Sequence, residues 1–369
     1  MLTPSPSPPP VQLNEKPDNP SISQVPEELF EDPCWTCPEL EHCYVHSNYP
    51  SYLKIDIESQ LAGSVKPYVR QVMISTGQTD WVEILEDDTQ SLASKLTKVD
   101  KETKEKLAKL KQEKGYIERP ENMCILITNI SRRNVYSTIE DGCDVLLMPD
   151  NILVSNVRPS DAQVFYETFL TRPLPTVSNP EKGRIQLDRG DGFVNGNGYD
   201  MLDDIGDVKR IDGTLFEIRR IPYDAVTLIC SHRRRDKRCG VTAPPLRDEF
   251  EKVLSSYGKF CVGFDNSRYL KSKNKIEAGD ILLLDDMHEE QKGAVVYMVS
   301  HIGGHKFAGN VIVYTQGGKR GIWYGRVTPC HVESIVEQTI LHGKVIRELY
   351  RGHMQNSVWH SPKSQMLSW

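Results

Sequence analysis

The chain has 369 residues, with 45 Lys and Arg against 51 Asp and Glu, and a formal net charge of −6. This length suffices for two domains that each bury a core, and the acidic balance argues against a general nucleic-acid or membrane surface. The nine cysteines are too scattered for a dense disulfide framework and fit a reducing compartment better. No apolar run approaches the roughly 20 residues that span a bilayer.

The N-terminal residues 1–27 are rich in Pro and Ser, contain acids and lack Arg. This composition predicts a disordered tail without a signal or transit peptide. By default we therefore expect a cytoplasmic protein, with an additional nuclear location as an alternative.

A first folded region is predicted over residues 28–215, and its elements alternate between apolar strands and helices. The predicted strands cover residues 68–74, 124–128 and 144–148, and the predicted helices cover 91–114 and 160–170. This order indicates a small N-terminal α/β domain. Residues 173–213 at its end are rich in Gly, Asp, Asn and Pro and predict a linker.

The second folded region, residues 216–348, begins with an apolar strand at 225–229 that leads into a basic loop. A helix is predicted next, and strands are expected at 260–262, 294–299, 310–314 and 321–324. The buried face of the predicted helix consists of Leu246, Phe250, Val253, Leu254 and Tyr257. The last two strands form a hairpin, and a final helix begins at Thr328-Pro329 and ends at Gly343. This order is that of a thioredoxin-like fold, and residues 349–369 are left as a C-terminal tail. The first region is weakly suggestive of a diverged copy of the same fold.

Two short motifs each follow one of these strands. They are Cys230-Ser-His-Arg-Arg-Arg-Asp-Lys-Arg-Cys239 and His301-Ile-Gly-Gly-His305. Two thiolates and two imidazoles at strand ends can converge on one metal centre, and thiolates suit iron–sulfur clusters and zinc. The glycines between the histidines disfavour a helix and predict a tight loop whose backbone approaches a cluster.

The mixed ligand set has a consequence for redox chemistry. With four Cys ligands a [2Fe–2S] cluster has a potential near about −400 mV, whereas two His ligands on one iron raise it to roughly −150 to +300 mV. The basic residues between Cys230 and Cys239 would act in the same direction. Electron uptake could then be coupled to protonation of His301 or His305.

Four segments together carry a resemblance to a known family. They are Cys230-x8-Cys239, His301-Ile-Gly-Gly-His-Lys-Phe-Ala-Gly-Asn310, Tyr324-Gly-Arg-Val-Thr-Pro329 and Ile74-Ser-Thr-Gly-Gln-Thr-Asp-Trp81. Over about residues 30–345 the chain resembles the sucrase/ferredoxin-like family of fungi and plants. The resemblance implies a thioredoxin-like ferredoxin domain and a Rieske-like [2Fe–2S] cluster held by Cys230, Cys239, His301 and His305. We expect an electron carrier more than an enzyme with its own substrate, and the resemblance names no electron donor or acceptor.

The last three residues, Leu367, Ser368 and Trp369, resemble the C-terminal signal that the cytosolic iron–sulfur targeting complex reads. A flexible tail would present an aromatic side chain and a carboxylate to such a partner. The alternative is a chance aromatic residue at a disordered end.

Other interpretations of the cysteines stay open. Zinc also binds two Cys and two His, which leaves a zinc-stabilised interaction module as one alternative. A thiol-based redox enzyme is another, although Cys-x8-Cys is not the Cys-x-x-Cys of thioredoxins. Cys34, Cys37 and Cys43 have metal-like spacing, and we favour free or structural thiols there. Cys124 and Cys261 are expected in the core, and Cys330 at the start of a helix.

Overall fold

The structure is a computed structural model. It describes residues 25–31, 46, 49–114, 124–171, 209–210, 213–258, 293–355 and 357. The predicted strand at 260–262 and most of the predicted linker at 173–213 lie outside these ranges. None of the helices in the described ranges is both long and apolar enough to cross a membrane.

Thirteen strands are present in the described ranges. They are β1 (Phe30–Glu31), β2 (Arg70–Ser75), β3 (Ile125–Ile130), β4 (Cys143–Met148), β5 (Ile152–Val157), β6 (Lys209–Arg210), β7 (Glu217–Arg220), β8 (Ala225–Cys230), β9 (Ala294–Val299), β10 (Val311–Thr315), β11 (Arg320–Tyr324), β12 (Val345–Ile346) and β13 (Tyr350–His353). Strands β1 and β12 form a separate parallel pair, and the other eleven form one sheet. The order across that sheet is β13-β11-β10-β8-β9-β3-β2-β4-β5-β7-β6.

The helices pack against this sheet, which confirms the α/β fold class. They are α1 (Leu92–Lys114), α2 (Ala162–Phe165, continued as a π-helix over Tyr166–Leu170), α3 (Lys237–Ser256) and α4 (Val332–Ser334, continued as a π-helix over Ile335–Leu341). The thioredoxin-like arrangement and the division into domains stay predictions. Strands from both predicted folded regions nevertheless share the sheet, because β3 pairs with β9 at Ile130 and Val299.

Most predicted elements in the described ranges are confirmed. The hairpin of β10 and β11 is antiparallel, with Val311 opposite Tyr324. Thr328 is the N-cap of the final helical segment, and Gly343 follows that segment with a left-handed φ of 66°. One detail is wrong, since Tyr257 follows the end of α3 and is 38% exposed, outside the buried face of the helix.

Both faces of the sheet are covered by apolar side chains. Helices α3 and α4 bury residues such as Leu246 and Ile335 against strands β8 to β11. Helices α1 and α2 cover β2, β4 and β5 in the other half of the chain, with Leu96 and Phe165 fully buried. A third cluster includes side chains from strands of both halves, among them Cys230. This cluster leaves the end of β8 in a desolvated setting.

Candidate metal centre

The two cysteines lie at a strand end and a helix start. Cys230 is the last residue of β8, and Cys239 lies in the first turn of α3. Asp236 is the N-cap of α3, and its carboxylate accepts a hydrogen bond of 2.9 Å from the backbone N–H of Arg238. The sequence analysis placed Cys239 in a loop before the helix, which is wrong because this cap starts the helix at Lys237. A thiolate in the first helical turn is stabilised by the free N–H groups there.

The two thiols are buried, 1% and 0% exposed, and they interact with each other. The pKa of Cys230 is held well below its ordinary value because the Cys239 thiol and the nearby His301 stabilise its thiolate against the cost of burial. The pKa of Cys239 is raised strongly, first by its interaction with Cys230 and then by burial. The opposite directions of the two pKa shifts reflect the close interaction of the two sulfurs.

The two histidines come from the neighbouring strand. Strands β8 and β9 are parallel, and Cys230 pairs with Val299, two residues before His301. His305 begins a single helical turn after Gly304, whose φ of 68° is left-handed. The ring centroids of His301 and His305 are 5.4 Å apart. Register and turn together place both imidazoles at the edge of the sheet where Cys230 ends.

Two ring nitrogens at this edge lack partners. The Nδ1 atoms of His301 and His305 are buried and have no hydrogen-bond partner in the described part of the chain. The other ring nitrogen of His305, Nε2, lies 3.8 Å from the Asp236 carboxylate, and its side chain is 44% exposed. Burial lowers the pKa of His305, and Asp236 opposes that shift. Buried polar atoms are normally paired, so the two Nδ1 atoms have the character of vacant donor positions.

A third histidine, His232, connects the two ligand segments. Its Nδ1 accepts a hydrogen bond of 3.1 Å from the backbone N–H of His301, and its Nε2 faces the carbonyl oxygens of Trp81 and Val82 at 3.1 and 2.8 Å. Carbonyl oxygens only accept, so Nε2 must carry the hydrogen. The sequence analysis gave His232 no role, because its partners lie far away in the chain and no local pattern points to them.

The basic residues between the cysteines are partly neutralised. Arg234 lies 3.7 Å from Asp80, Arg235 lies 3.9 Å from Glu83, and Arg238 pairs with the Asp236 carboxylate at 2.9 Å. Exposed pairs of this kind are weak individually. Their carboxylates nevertheless reduce the positive field that the sequence alone predicts at the thiols.

Two thiols and two imidazoles suit more than one kind of metal centre. No group of three or more Cys, His, Asp or Glu side chains in the described ranges is arranged to hold a metal ion. The Cys230 thiol interacts with both Cys239 and His301, and the His301 ring lies 5.4 Å from the His305 ring. A single zinc ion needs four ligands at one point, whereas a two-iron cluster takes one pair on each iron. Two thiolates and two imidazoles match the mixed ligand set of such a cluster.

The other cysteines and the C-terminal signal give a mixed result. Cys34, Cys37, Cys43, Cys261 and the segment Leu367-Ser368-Trp369 lie outside the described residues. Cys330 is buried at the start of the final helical segment, as expected. Cys124 is exposed just before β3 begins, so the prediction that it belongs to the core is wrong.

An α/β sheet with thiols and imidazoles at one edge defines a class of candidate metal-binding redox proteins. A model of the sucrase/ferredoxin-like family matches residues 61–352, and the chain belongs to that family. Membership supports a role related to redox or iron–sulfur chemistry at the level of the family.

Curated relatives agree with this assignment. Altered inheritance of mitochondria protein 32 of Debaryomyces hansenii is 30% identical over 323 residues, which cover 85% of this chain and 92% of that protein. Actin patches distal protein 1 of Saccharomyces cerevisiae is 34% identical over 157 residues, or 42% of each chain. No solved structure matches the chain.

Proposed function

We propose that the chain is a one-electron carrier whose [2Fe–2S] cluster is held by the Cys230 and Cys239 thiolates and by the imidazoles of His301 and His305. The cluster would supply a one-electron couple in the range typical of mixed Cys and His ligation. Both relatives are proteins named for cellular phenotypes, so the proposal rests on this chain's own residues. It concerns a carrier rather than an enzyme with its own substrate.

The observation that carries the proposal is the pair of buried Nδ1 atoms without partners in the described ranges, beside two buried thiols that interact with each other. A buried imidazole nitrogen without a partner costs free energy of about 1–3 kcal/mol, and a metal ligand bond would remove that cost. A cysteine thiol binds a metal in its deprotonated form. The lowered pKa of Cys230 supports its role as a ligand.

The half-exposed ring of His305 gives the site a route for protons. With Nδ1 directed inward, Nε2 is the atom that would hold or release a proton near the Asp236 carboxylate. A carboxylate at this distance favours the protonated ring. We therefore propose that electron uptake is coupled to protonation at His305 Nε2, with His301 as the more enclosed of the two ligands.

One observation favours a second candidate, a thiol-based redox enzyme. The thiols of Cys230 and Cys239 have oppositely shifted pKa values, as a reactive thiol and its resolving partner would have. Both side chains are almost completely buried, however, and a substrate disulfide needs access to the attacking sulfur. The zinc-stabilised module is less well supported, because the family points to redox or iron–sulfur chemistry.

The C-terminal residues and the location belong to the same proposal. We propose that Leu367, Ser368 and Trp369 present the chain to the cytosolic iron–sulfur targeting complex. Cluster insertion by that route would take place in the cytoplasm. The prediction of a cytoplasmic or partly nuclear protein depends on this interaction.

Anaerobic purification after expression with ample iron tests the proposal. We expect red-brown protein with two iron atoms and two sulfides per chain, and a reduced form whose electron paramagnetic resonance has a low average g-value. Cys239→Ser should lose iron and sulfide, whereas Cys124→Ser, at an exposed cysteine away from the site, should keep both. Colourless wild-type protein without iron and sulfide would refute the proposal, and stoichiometric zinc would favour the module instead.

A further inference from the structure

Arg351 is a buried cation beside the candidate metal centre. It lies in β13, is 1% exposed and donates hydrogen bonds to neutral groups. Its Nε donates to Ser64 Oγ at 3.0 Å, and its Nη1 donates to Asn310 Oδ1 at 2.8 Å and to the Gly303 carbonyl at 3.3 Å. A further contact joins Nη2 to the Ser64 carbonyl at 3.2 Å. These bonds fix the guanidinium without neutralising its charge.

No carboxylate compensates Arg351 within the described ranges. Two other buried arginines are each paired with an acid, Arg70 with Asp150 at 2.6 Å and Arg132 with Asp144 at 2.7 Å. The rings of Phe307 and Trp323 face Arg351 at 5.4 and 5.6 Å, which stabilises a cation only in part. A buried charge normally needs an opposite charge, so the neighbourhood of Arg351 is incomplete without an anion.

Cys230 and Cys239, which would carry negative charge as metal ligands, interact electrostatically with Arg351. Burial lowers the pKa of Arg351 to about 10, and the charges of Cys230 and Cys239 oppose that shift. The guanidinium also contacts the loop between the histidines, where a side chain at Gly304 would overlap it. Gly304 is therefore required for the approach of Arg351, a reason that the sequence analysis did not foresee. Asn310 adds a second link, since its Nδ2 donates to the Gly304 carbonyl at 3.0 Å.

We propose that Arg351 is the built-in countercharge of the Cys230 and Cys239 thiolates, and that it raises the reduction potential of the centre. The inference rests on the proposed function. Reduction adds one negative charge to the ligated cluster, and a fixed buried cation stabilises the reduced form more than the oxidised form. Arg351 donates its hydrogen bonds to Ser64, Gly303 and Asn310 and not to a ligand side chain, so it is a positioning and charge-compensating residue.

The test measures the reduction potential by protein-film voltammetry, with iron and sulfide content measured on the same samples. We expect Arg351→Gln to shift the reduction equilibrium about tenfold toward the oxidised form, which equals about 59 mV for a one-electron couple. Arg351→Lys keeps the charge and should shift it less. Arg320→Gln is a matched control, because Arg320 is also fully buried but donates to the Gly343 carbonyl.

A second pair of variants leaves Arg351 in place. Ser64→Asp would put a carboxylate next to the Arg351 Nε and should lower the potential in the same direction as Arg351→Gln. Asn at position 64 has nearly the same size as Asp without the charge. The reduction equilibrium of Ser64→Asn should therefore stay within about twofold of that of the wild-type protein. Since Ser64 is only half-buried, this pair decides the question if Arg351→Gln does not fold.

The outcomes separate the two proposals. If Ser64→Asp and Arg351→Gln keep their iron and sulfide and have the wild-type potential, the countercharge inference is wrong and the proposed function stands. If Ser64→Asn shifts the potential as much as Ser64→Asp, the effect is not electrostatic, and if Arg320→Gln shifts it as much as Arg351→Gln, the effect is not specific to Arg351; either result makes the inference wrong. Wild-type protein without a cluster would overturn the proposed function and this inference with it.

Discussion

His232 offers a direct test of how the site is held together. The His232→Ala variant leaves the backbone N–H of His301 without an acceptor, at a cost of about 1–3 kcal/mol. It also removes an edge-to-face contact with Trp81, whose ring centroid lies 5.8 Å away, worth about 0.5–1.5 kcal/mol. With the added cavity at a side chain that is 1% exposed, we expect the free energy of unfolding to fall by about 3–4 kcal/mol.

Urea unfolding followed by tryptophan fluorescence measures this loss. His342→Ala, at an exposed histidine, is the control and should change the free energy of unfolding by no more than about 0.5 kcal/mol. Two further variants separate the hydrogen bonds of the two ring nitrogens of His232. Asn can replace the accepting Nδ1, and Gln can replace the donating Nε2. His232→Asn should keep more iron than His232→Gln, since only the accepting atom contacts His301. A loss below about 1 kcal/mol for His232→Ala would refute this reasoning.

Three further predictions concern the ligands, the C-terminus and the response to acid. His301→Cys replaces a neutral ligand by a thiolate, so voltammetry should give a potential lower by about 100 mV or more and a weaker dependence on pH, and unchanged values would count against imidazole ligation. Deletion of Trp369 should lower the iron content of protein isolated from cells without changing its melting temperature, and equal iron in both forms would exclude the targeting role. Burial lowers the pKa of His331 and of His353 to about 4, so between about pH 6.5 and pH 4 each takes up a proton only when the chain unfolds. Stability should therefore decrease as the pH is lowered through this window, by up to about 3 kcal/mol per histidine. A melting temperature that does not change with pH there would contradict the assignment, as would a pH dependence that His331→Gln leaves unchanged.

The strands that could be predicted are those marked by runs of apolar side chains. Strand β9 is an unbroken apolar run and matches its predicted bounds at residues 294–299. Strand β5 was not predicted, although all six of its residues are buried. It contains Ser155 and Asn156, whose polar atoms bond to the carbonyl oxygens of Glu217 and Leu215. Such long-range bonds allow polar residues inside a strand, and no local pattern reveals them.

The same limit explains why Arg351 and His232 were missed. Strand β13, Tyr350–His353, reads Tyr-Arg-Gly-His and has no apolar alternation, and it lies in the segment that the sequence assigned to a C-terminal tail. Its charged residue is buried because hydrogen-bond acceptors arrive from Ser64 and Asn310, in segments far away in the chain. A basic residue near the C-terminus would ordinarily be assigned to the solvated surface. Residues that support the predicted ligands through contacts between distant segments can therefore be identified only in the folded chain.

The convergence of the four predicted ligands depends on a feature that the sequence contains only indirectly. Parallel strands bring their carboxyl ends to one edge of a sheet, and the register of β8 and β9 sets Cys230 against Val299. His301 then follows two residues beyond the paired position, just after β9 ends. A shift of one residue in this register would move the Cys230 side chain to the opposite face of the sheet, away from Cys239 and Arg351. The site therefore depends on the pairing of these two strands as much as on the identity of its ligands.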